Sequence, residues 1–317
     1  MPHVSVIIPA WNAAEFLPNA LDSVLAQSFD DFEVIIVNDG SPDTAALERV
    51  IAAYRGDSRV RYLVQENQGP SGARNTGVLA ATGRYVAFLD ADDWWTQSYL
   101  ATQMEQVKTN PGLDLVYCDA LLVGTSPLAG RTFMETSPSE GAVTLESLIA
   151  LRCNVPTTCA LARRDAIVGA GLFDPQLRRC EDFDLWLRMS AAGSRLGYHR
   201  SVLARHRYHH ASAAADGVRM FESQLVVYRK LAALLGPSHP TCPAVDAQIR
   251  RAEADLALER TKQLLLSGEY PAAADALNAA RRFYRSRKLA LAELGLRTVP
   301  GLVRKLYAHR YPVAAHR

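Results

Sequence analysis

Three carboxylates fall within four residues of FLDADDWW (88–95), at the end of an apolar run: Asp90, Asp92 and Asp93, with Ala91 between the first two. Negative charge packed this densely repels itself unless a cation answers it. A helix cap would account for one aspartate but not for three. Oxygen ligands suit Mg²⁺ or Mn²⁺, which commonly take one or two carboxylates together with the oxygens of a substrate diphosphate. A second acidic run, CEDFDLWLRMSAAG (180–193), reads as a helix that starts near Glu181 and stops at Gly193. Carboxylates at a helix start also complement its dipole, so Glu181, Asp182 and Asp184 have a structural reading beside a catalytic one. Further on, RHRYHHASAAAD (205–216) reads as a polar loop carrying Arg207, His209 and Ser212.

These residues need a frame that brings them together. From residue 4 to 118, short apolar runs (VSVIIP, FEVIIV, VRYLVQ, RYVAFL, LDLVYC) alternate with helical stretches over 14–27, 43–54, 71–81 and 97–109. Runs that are apolar on both faces belong to strands covered by helices on both sides, so a mostly parallel α/β sheet is predicted. In the first helix the stripe Phe16, Leu17, Ala20, Leu21, Val24, Leu25 faces the core, and Pro18 is tolerated in the first turn. Ligands of such sheets bind beyond the carboxyl ends of the strands. Polar or aromatic residues follow four of them: Pro9, Ala10, Trp11 and Asn12; Asn38, Asp39 and Gly40; Glu66, Asn67, Gln68 and Gly69; then Asp90 to Asp93. A dinucleotide-binding protein would carry GxGxxG after its first strand, where this chain has PAWNAAE. No GxxxxGK[ST] loop is present either, which leaves a diphosphate to be met by metal.

VSVIIPAWN, VIIVNDGSPD, ENQGPSGARNTGVLAATGRYVAFLDADD and CEDFDLWLRM together resemble the family-two inverting glycosyltransferases of GT-A fold, over about residues 3–212. The resemblance implies a nucleotide-sugar donor, a UDP-sugar by family frequency, and an acceptor hydroxyl on a glycan, glycolipid or protein. It implies that Pro9, Ala10, Trp11 and Asn12 with Asp39 hold the nucleoside, with Asp39 on the base. Asn67, Gly72 and Arg74 match the segment that closes over base and diphosphate. Asp90, beside Ala91, matches the ribose or sugar contact, and Asp92 the metal ligand of the DxD motif, with Asp93 supporting. In the ED motif an aspartate matches the general base, which points to Asp182, with Glu181 and Asp184 behind it. Arg207, His209 and Ser212 match an R-x-H-x-x-S pattern whose histidine reaches metal or diphosphate. Arg188 is expected to pair with Asp184, and Cys180 to be a packed thiol.

Composition agrees with a globular protein: 317 residues with 49% hydrophobic content. The five cysteines lack CxxC or zinc spacing and read as free thiols in a reducing compartment. The N-terminus has no leader pattern and no run approaches about 18 apolar residues, so the expected location is cytoplasmic. Residues 281–317 carry ten Lys or Arg against the single acid Glu293. LRTVPGLVRKLYAHRY (296–311) within this tail suits either a packed terminal helix or the inner face of a membrane. No nucleic-acid partner is expected. Residues 119–150 read as a long irregular connection, and 264–284 as a helix-turn-helix. The domains expected are a catalytic one at 1–215 and a helical region at 216–317. A non-catalytic nucleotide-sugar-binding scaffold, or a sugar nucleotidyltransferase, is the alternative; the latter lacks its glycine-rich activation loop near residues 9–20.

Overall fold

The structure is a computed structural model describing residues 3–208 and 217–310. The chain divides into two compact units, Met1–Ser212 and Ala213–Arg317. The first opens with the alternation β1 (Val4–Ala10), α1 (Leu17–Leu25), β2 (Phe32–Asp39), α2 (Thr44–Ala52), β3 (Val60–Gln65), α3 (Gly69–Ala80) and β4 (Tyr85–Phe88). It continues with β5 (Trp94–Trp95), α4 (Tyr99–Thr109), β6 (Leu115–Gly124), α5 (Phe133–Thr136), α6 (Leu145–Ile149), β7 (Ala160–Arg163), α7 (Arg164–Gly169), α8 (Glu181–Ala191) and β8 (Leu196–Tyr208). One sheet holds the eight strands of the described residues in the order β3-β2-β1-β4-β7-β6-β8-β5. β7 runs antiparallel to β4 and β6, and β5 antiparallel to β8; the other six strands share one direction.

The apolar runs form strands because both faces of the sheet are covered. All eight residues of β2 are buried, as are Val4, Val6, Ile7 and Ile8 of β1. α1 inserts Leu17, Ala20, Leu21 and Val24, none of them accessible to solvent, and Pro18 sits in its first turn. α3 lies so close to β1 that a Cβ on Gly77 would come within 2.4 Å of Ile7 Cγ2. Register aligns the strand ends, with Ala10 beside Asn38 and Asn38 beside Val64, so the loops leaving β1, β2 and β3 emerge at one level. At the opposite end of the strands, buried Glu33 accepts bonds from Ser5 Oγ (2.7 Å), from Thr82 N and Oγ1 (2.8 and 2.6 Å) and from Arg61 Nη1 (2.6 Å). Those donors outweigh the effect of burial and bring its carboxyl down to about 2.

Two stretches differ from the sequence reading. Residues 119–124 are not loop: they complete β6, whose DALLV is mostly buried and pairs with β8. The rest of 119–150 holds two short helices, each opened by a threonine capping box, Thr132 with Glu135 and Thr144 with Ser147. Residues 205–208, expected in a polar loop, end β8 and pair with β5 and β6.

The second unit is helical: α9 (Gly217–Leu235), α10 (Cys242–Ser267), α11 (Tyr270–Tyr284), α12 (Arg287–Thr298) and α13 (Pro300–Arg310). Gly268, at φ +87°, caps α10 and makes the turn into α11. None of the described helices is long and apolar enough to cross a membrane.

Candidate active site

The loops after β1, β2 and β3 are tied together by side chains. Asn12 takes a left-handed backbone (φ +50°), and its N–H donates to Ser41 Oγ (2.6 Å), while Ala14 N donates to Asp43 Oδ2 (2.9 Å). Pro9 and Ala10 line the base of this loop, and Trp11 stands out at its rim, 55% exposed. Asp39, buried at the end of β2, accepts at Oδ1 from Gln65 Nε2 (2.7 Å) and Gln68 N (2.8 Å), and its carbonyl accepts from Asn67 Nδ2 (3.0 Å). Gly40 permits that approach: its φ is +61°, and a Cβ there would sit 2.7 Å from Asn67 N. Among the described residues, Gln65 Oε1 is shielded from solvent with no hydrogen-bond partner.

α3 connects this cluster to a second one. At its amino end Gln68 reaches Asp39, and Gly72 packs on Gln68 so closely that a Cβ would meet its Cβ at 2.4 Å. Six residues beyond Gln68, roughly 9 Å along a helix, buried Arg74 extends between two motifs. Nη2 lies 2.7 Å from Asp90 Oδ1 and Nη1 2.6 Å from Glu181 Oε1, with the guanidinium over the Phe173 ring at 5.6 Å. Burial alone would weaken its hold on the proton, but Asp90 and Glu181 raise its pKa above the ordinary guanidinium value.

The carboxylates of 90–93 part company. Asp90 turns to Arg74. Asp93, 1% exposed, accepts from Arg207 N (2.8 Å) and faces His206 Nδ1 (2.9 Å). Burial would lower the pKa of His206, yet Asp93, with Asp90 and Asp92 behind it, raises it to about 9. Arg207 donates from Nε to the Asp92 carbonyl (2.9 Å) and lies over Trp94 and Phe16 at 4.7 and 5.2 Å from the ring centroids. Arg74 and His206 thus answer two of the three carboxylates, Asp90 and Asp93. His209 and Ser212 lie outside the described residues.

At the start of α8, Cys180 is the N-cap in a left-handed conformation (φ +58°), which projects Glu181 and Asp182 from the first turn. Glu181 is buried on Arg74. Asp182 is half-buried, accepting at Oδ2 from Thr157 Oγ1 (2.6 Å) and at Oδ1 from Phe183 N (2.7 Å). Arg188 pairs with Asp184 at 2.7 Å and donates to the carbonyls of Ala170 and Leu172, anchoring the helix. Burial, with Asp182 and Glu181 alongside, pushes the Cys180 thiol up to about 12, which makes it inert.

The family described as Glycosyl transferase family 2 matches residues 5–167, just over half of the chain. The chain belongs to this family. An uncharacterised glycosyltransferase of Rickettsia prowazekii is 30% identical over 223 residues, 70% of this chain and 69% of that protein. The glycosyltransferase EpsJ of Bacillus subtilis is 41% identical over 118 residues, 37% of this chain and 34% of EpsJ; the chain spans 15–34% of the length of the first such relatives. Two crystal structures share the fold. S. aureus TarS 1–349 with UDP-GlcNAc aligns with TM-score 0.65 at 18% identity, covering 98% of this chain and 92% of that one. The mannosyltransferase PcManGT of Pyrobaculum calidifontis, with GDP-Man and Mn²⁺, aligns with TM-score 0.62 at 23% identity, covering 99% and 86%. The mostly parallel sheet with its flanking helices is the GT-A fold of these proteins.

Within this family 2 chain, the sequence reading missed the tether Thr157, on a 3₁₀ turn (Thr157–Cys159) just before β7; it carries no motif, and only its place at the edge of an apolar run hinted at it. His206 belongs to the 205–216 run, beside Arg207. Whether a divalent ion fits depends on the donors. Asp92 offers a half-buried carboxylate, a hard oxygen ligand, and no group of three or more His, Cys, Asp or Glu among the described residues could hold a metal. This donor set suits Mg²⁺ or Mn²⁺ only as an ion shared with the oxygens of a bound diphosphate.

Proposed function

We propose that this chain transfers a sugar, with inversion, from a nucleotide-diphosphate donor, most simply a UDP-sugar, to an acceptor hydroxyl on a glycan, glycolipid or protein. The observation that carries this reading is Arg74, one buried cation holding Asp90 of the DxD strand end and Glu181 of the ED helix. That brace keeps Asp182 beside the strand end that would receive the donor sugar. Asp182, oriented by Thr157, acts as the general base that takes the acceptor hydroxyl proton as the oxygen attacks the anomeric carbon. Glu181 and Arg74 are positioning residues.

The nucleoside lies against Pro9, Ala10, Trp11 and Asn12. Asp39 meets the base, where the unpartnered Gln65 Oε1 supplies a further acceptor for an N–H of the ring. Asn67 and Gly72 shape the segment beside the diphosphate, and Asp90 and Ala91 border the ribose or sugar. Asp92, with His209 as a second candidate, would hold Mn²⁺ or Mg²⁺. The ion supplies charge neutralisation to the departing nucleoside diphosphate. The catalytic domain is taken as 1–215 and the helical region as 216–317. UDP-GlcNAc in TarS and GDP-Man with Mn²⁺ in PcManGT support a nucleotide-sugar donor on this fold.

Calorimetric titration with UDP, dTDP and GDP, each with and without Mn²⁺ and repeated on Asp92→Ala, tests the donor half. One nucleotide binding in a metal-dependent manner, weakened in the variant, is expected. No binding to folded protein would remove the reading.

A further inference from the structure

The second unit carries a surface for which the proposed active site has no use. α12 and α13 bury one edge each in a small core with Leu265, Leu277 and Leu296: Leu289 and Ala292 from α12, Val303 and Tyr307 from α13. The outward edges carry Leu291 and Leu294, 70% and 59% exposed, and Leu302 and Leu306, 55% and 62% exposed. Spacings of three and four keep each pair on one helix face. Val299, in the turn between the two helices, is also exposed, so five large apolar side chains of residues 291–306 face solvent.

The same helices and the turn before them are rich in cations. Glu293 is taken by Arg281 (2.9 Å) and Arg297 (3.3 Å), and Arg297 also pairs with Asp275 (2.9 Å). Arg282, Arg285, Arg287, Lys288, Arg304 and Lys305 are exposed, and among the described residues none has a carboxylate partner. Where α11 meets α12, a cavity of about 390 Å³ is lined by Arg281, Arg282, Arg285, Ser286, Arg287 and Ala290.

We propose that the outer faces of α12 and α13 dock on an anionic lipid bilayer, the leucines entering the interface and the arginine-lined cavity receiving a lipid phosphate. Charge selects this occupant. A second copy would bring six uncompensated cations against six more, and an apolar protein groove would strip them of water without pairing them. A soluble polyanion would satisfy the arginines and leave the leucines wet. An anionic bilayer answers both, because apolar burial and attraction to charged headgroups add in interfacial helices. The proposal does not depend on the reading of the active site.

Co-sedimentation of the full chain with vesicles tests it, using phosphatidylcholine alone or mixed with about 30% phosphatidylglycerol to set a negative surface potential. Binding to the anionic vesicles, released by high salt, is expected. Leu294→Glu with Leu302→Glu, and separately Arg285→Glu with Arg287→Glu, should each lower partitioning about tenfold or more. Circular dichroism should be unchanged, since all four side chains are exposed. If either pair unfolds, Leu291→Ser with Leu306→Ser serves instead. Equal binding to neutral vesicles, or none to anionic ones, overturns the proposal. So does a dimer in sedimentation velocity that Leu294→Glu splits, or full release from vesicles by inorganic phosphate at constant ionic strength, which would mark a free-anion site.

Discussion

Thr157 gives Asp182 a direction. A carboxylate at a helix start could rotate toward the free amides of its own first turn, and the 2.6 Å bond from Thr157 Oγ1 holds one oxygen outward. Asp182→Asn should therefore cut turnover by about 10²–10⁴, the usual worth of general-base catalysis, while calorimetry finds UDP affinity unchanged. Thr157→Val should lower kcat and spare the donor KM in steady-state assays, because the methyl keeps the volume and removes only the tether. The acidic residues could be read from the sequence by type and spacing, since three aspartates after an apolar run have few innocent explanations. Their partners could not. Arg74 meets Glu181 across 107 residues and His206 meets Asp93 across 113, and no local pattern encodes a contact that only the closed sheet creates. For that reason the protein cations that hold Asp90 and Asp93 are visible only in three dimensions.

The elements differ in how openly they announce themselves. β1, β2 and β4 are continuous apolar runs buried on both faces, and α1 repeats its buried residues at helical spacing, so chemistry and period agree. β7 has four residues and β5 two, too few for a period to show, while the thirteen residues of β8 mix Arg and His with leucine because much of it is only half-buried. Close packing at this scale is testable at Gly77. Gly77→Ala forces a methyl onto Ile7 and should cost about 1–3 kcal/mol, read as a lower midpoint in urea, and should weaken UDP binding by shifting the helix that carries Arg74. Glu33 makes a pH prediction. Its carboxyl falls from the ordinary 4.5 to about 2 on folding, so its contribution is present above the unfolded value and is lost as pH falls through about 2. That contribution is roughly 3 kcal/mol by linkage. The stability gap between wild type and Glu33→Gln, measured by urea unfolding, should close progressively between about pH 4.5 and 2.

For the whole molecule, composition changes where the units divide: the first unit owes its form to strands, the second to helices rich in Ala, Leu and Arg. The sheet's order in space departs from its order in the chain at β4. Residues 4–88 provide four adjacent strands, but the strand that covers β4's outer edge is Ala160–Arg163, and β6 is made in between without touching it. A ribosome adding about 5–20 residues per second needs roughly 4–14 s to reach β7. Throughout that interval a half-built sheet of four strands shows a bare row of amides and carbonyls along β4 to every other nascent chain nearby. Yield of this protein in a cell will thus follow translation speed and chaperone supply across residues 89–160, whatever the stability of the finished fold, and a pause engineered there should send it to the pellet.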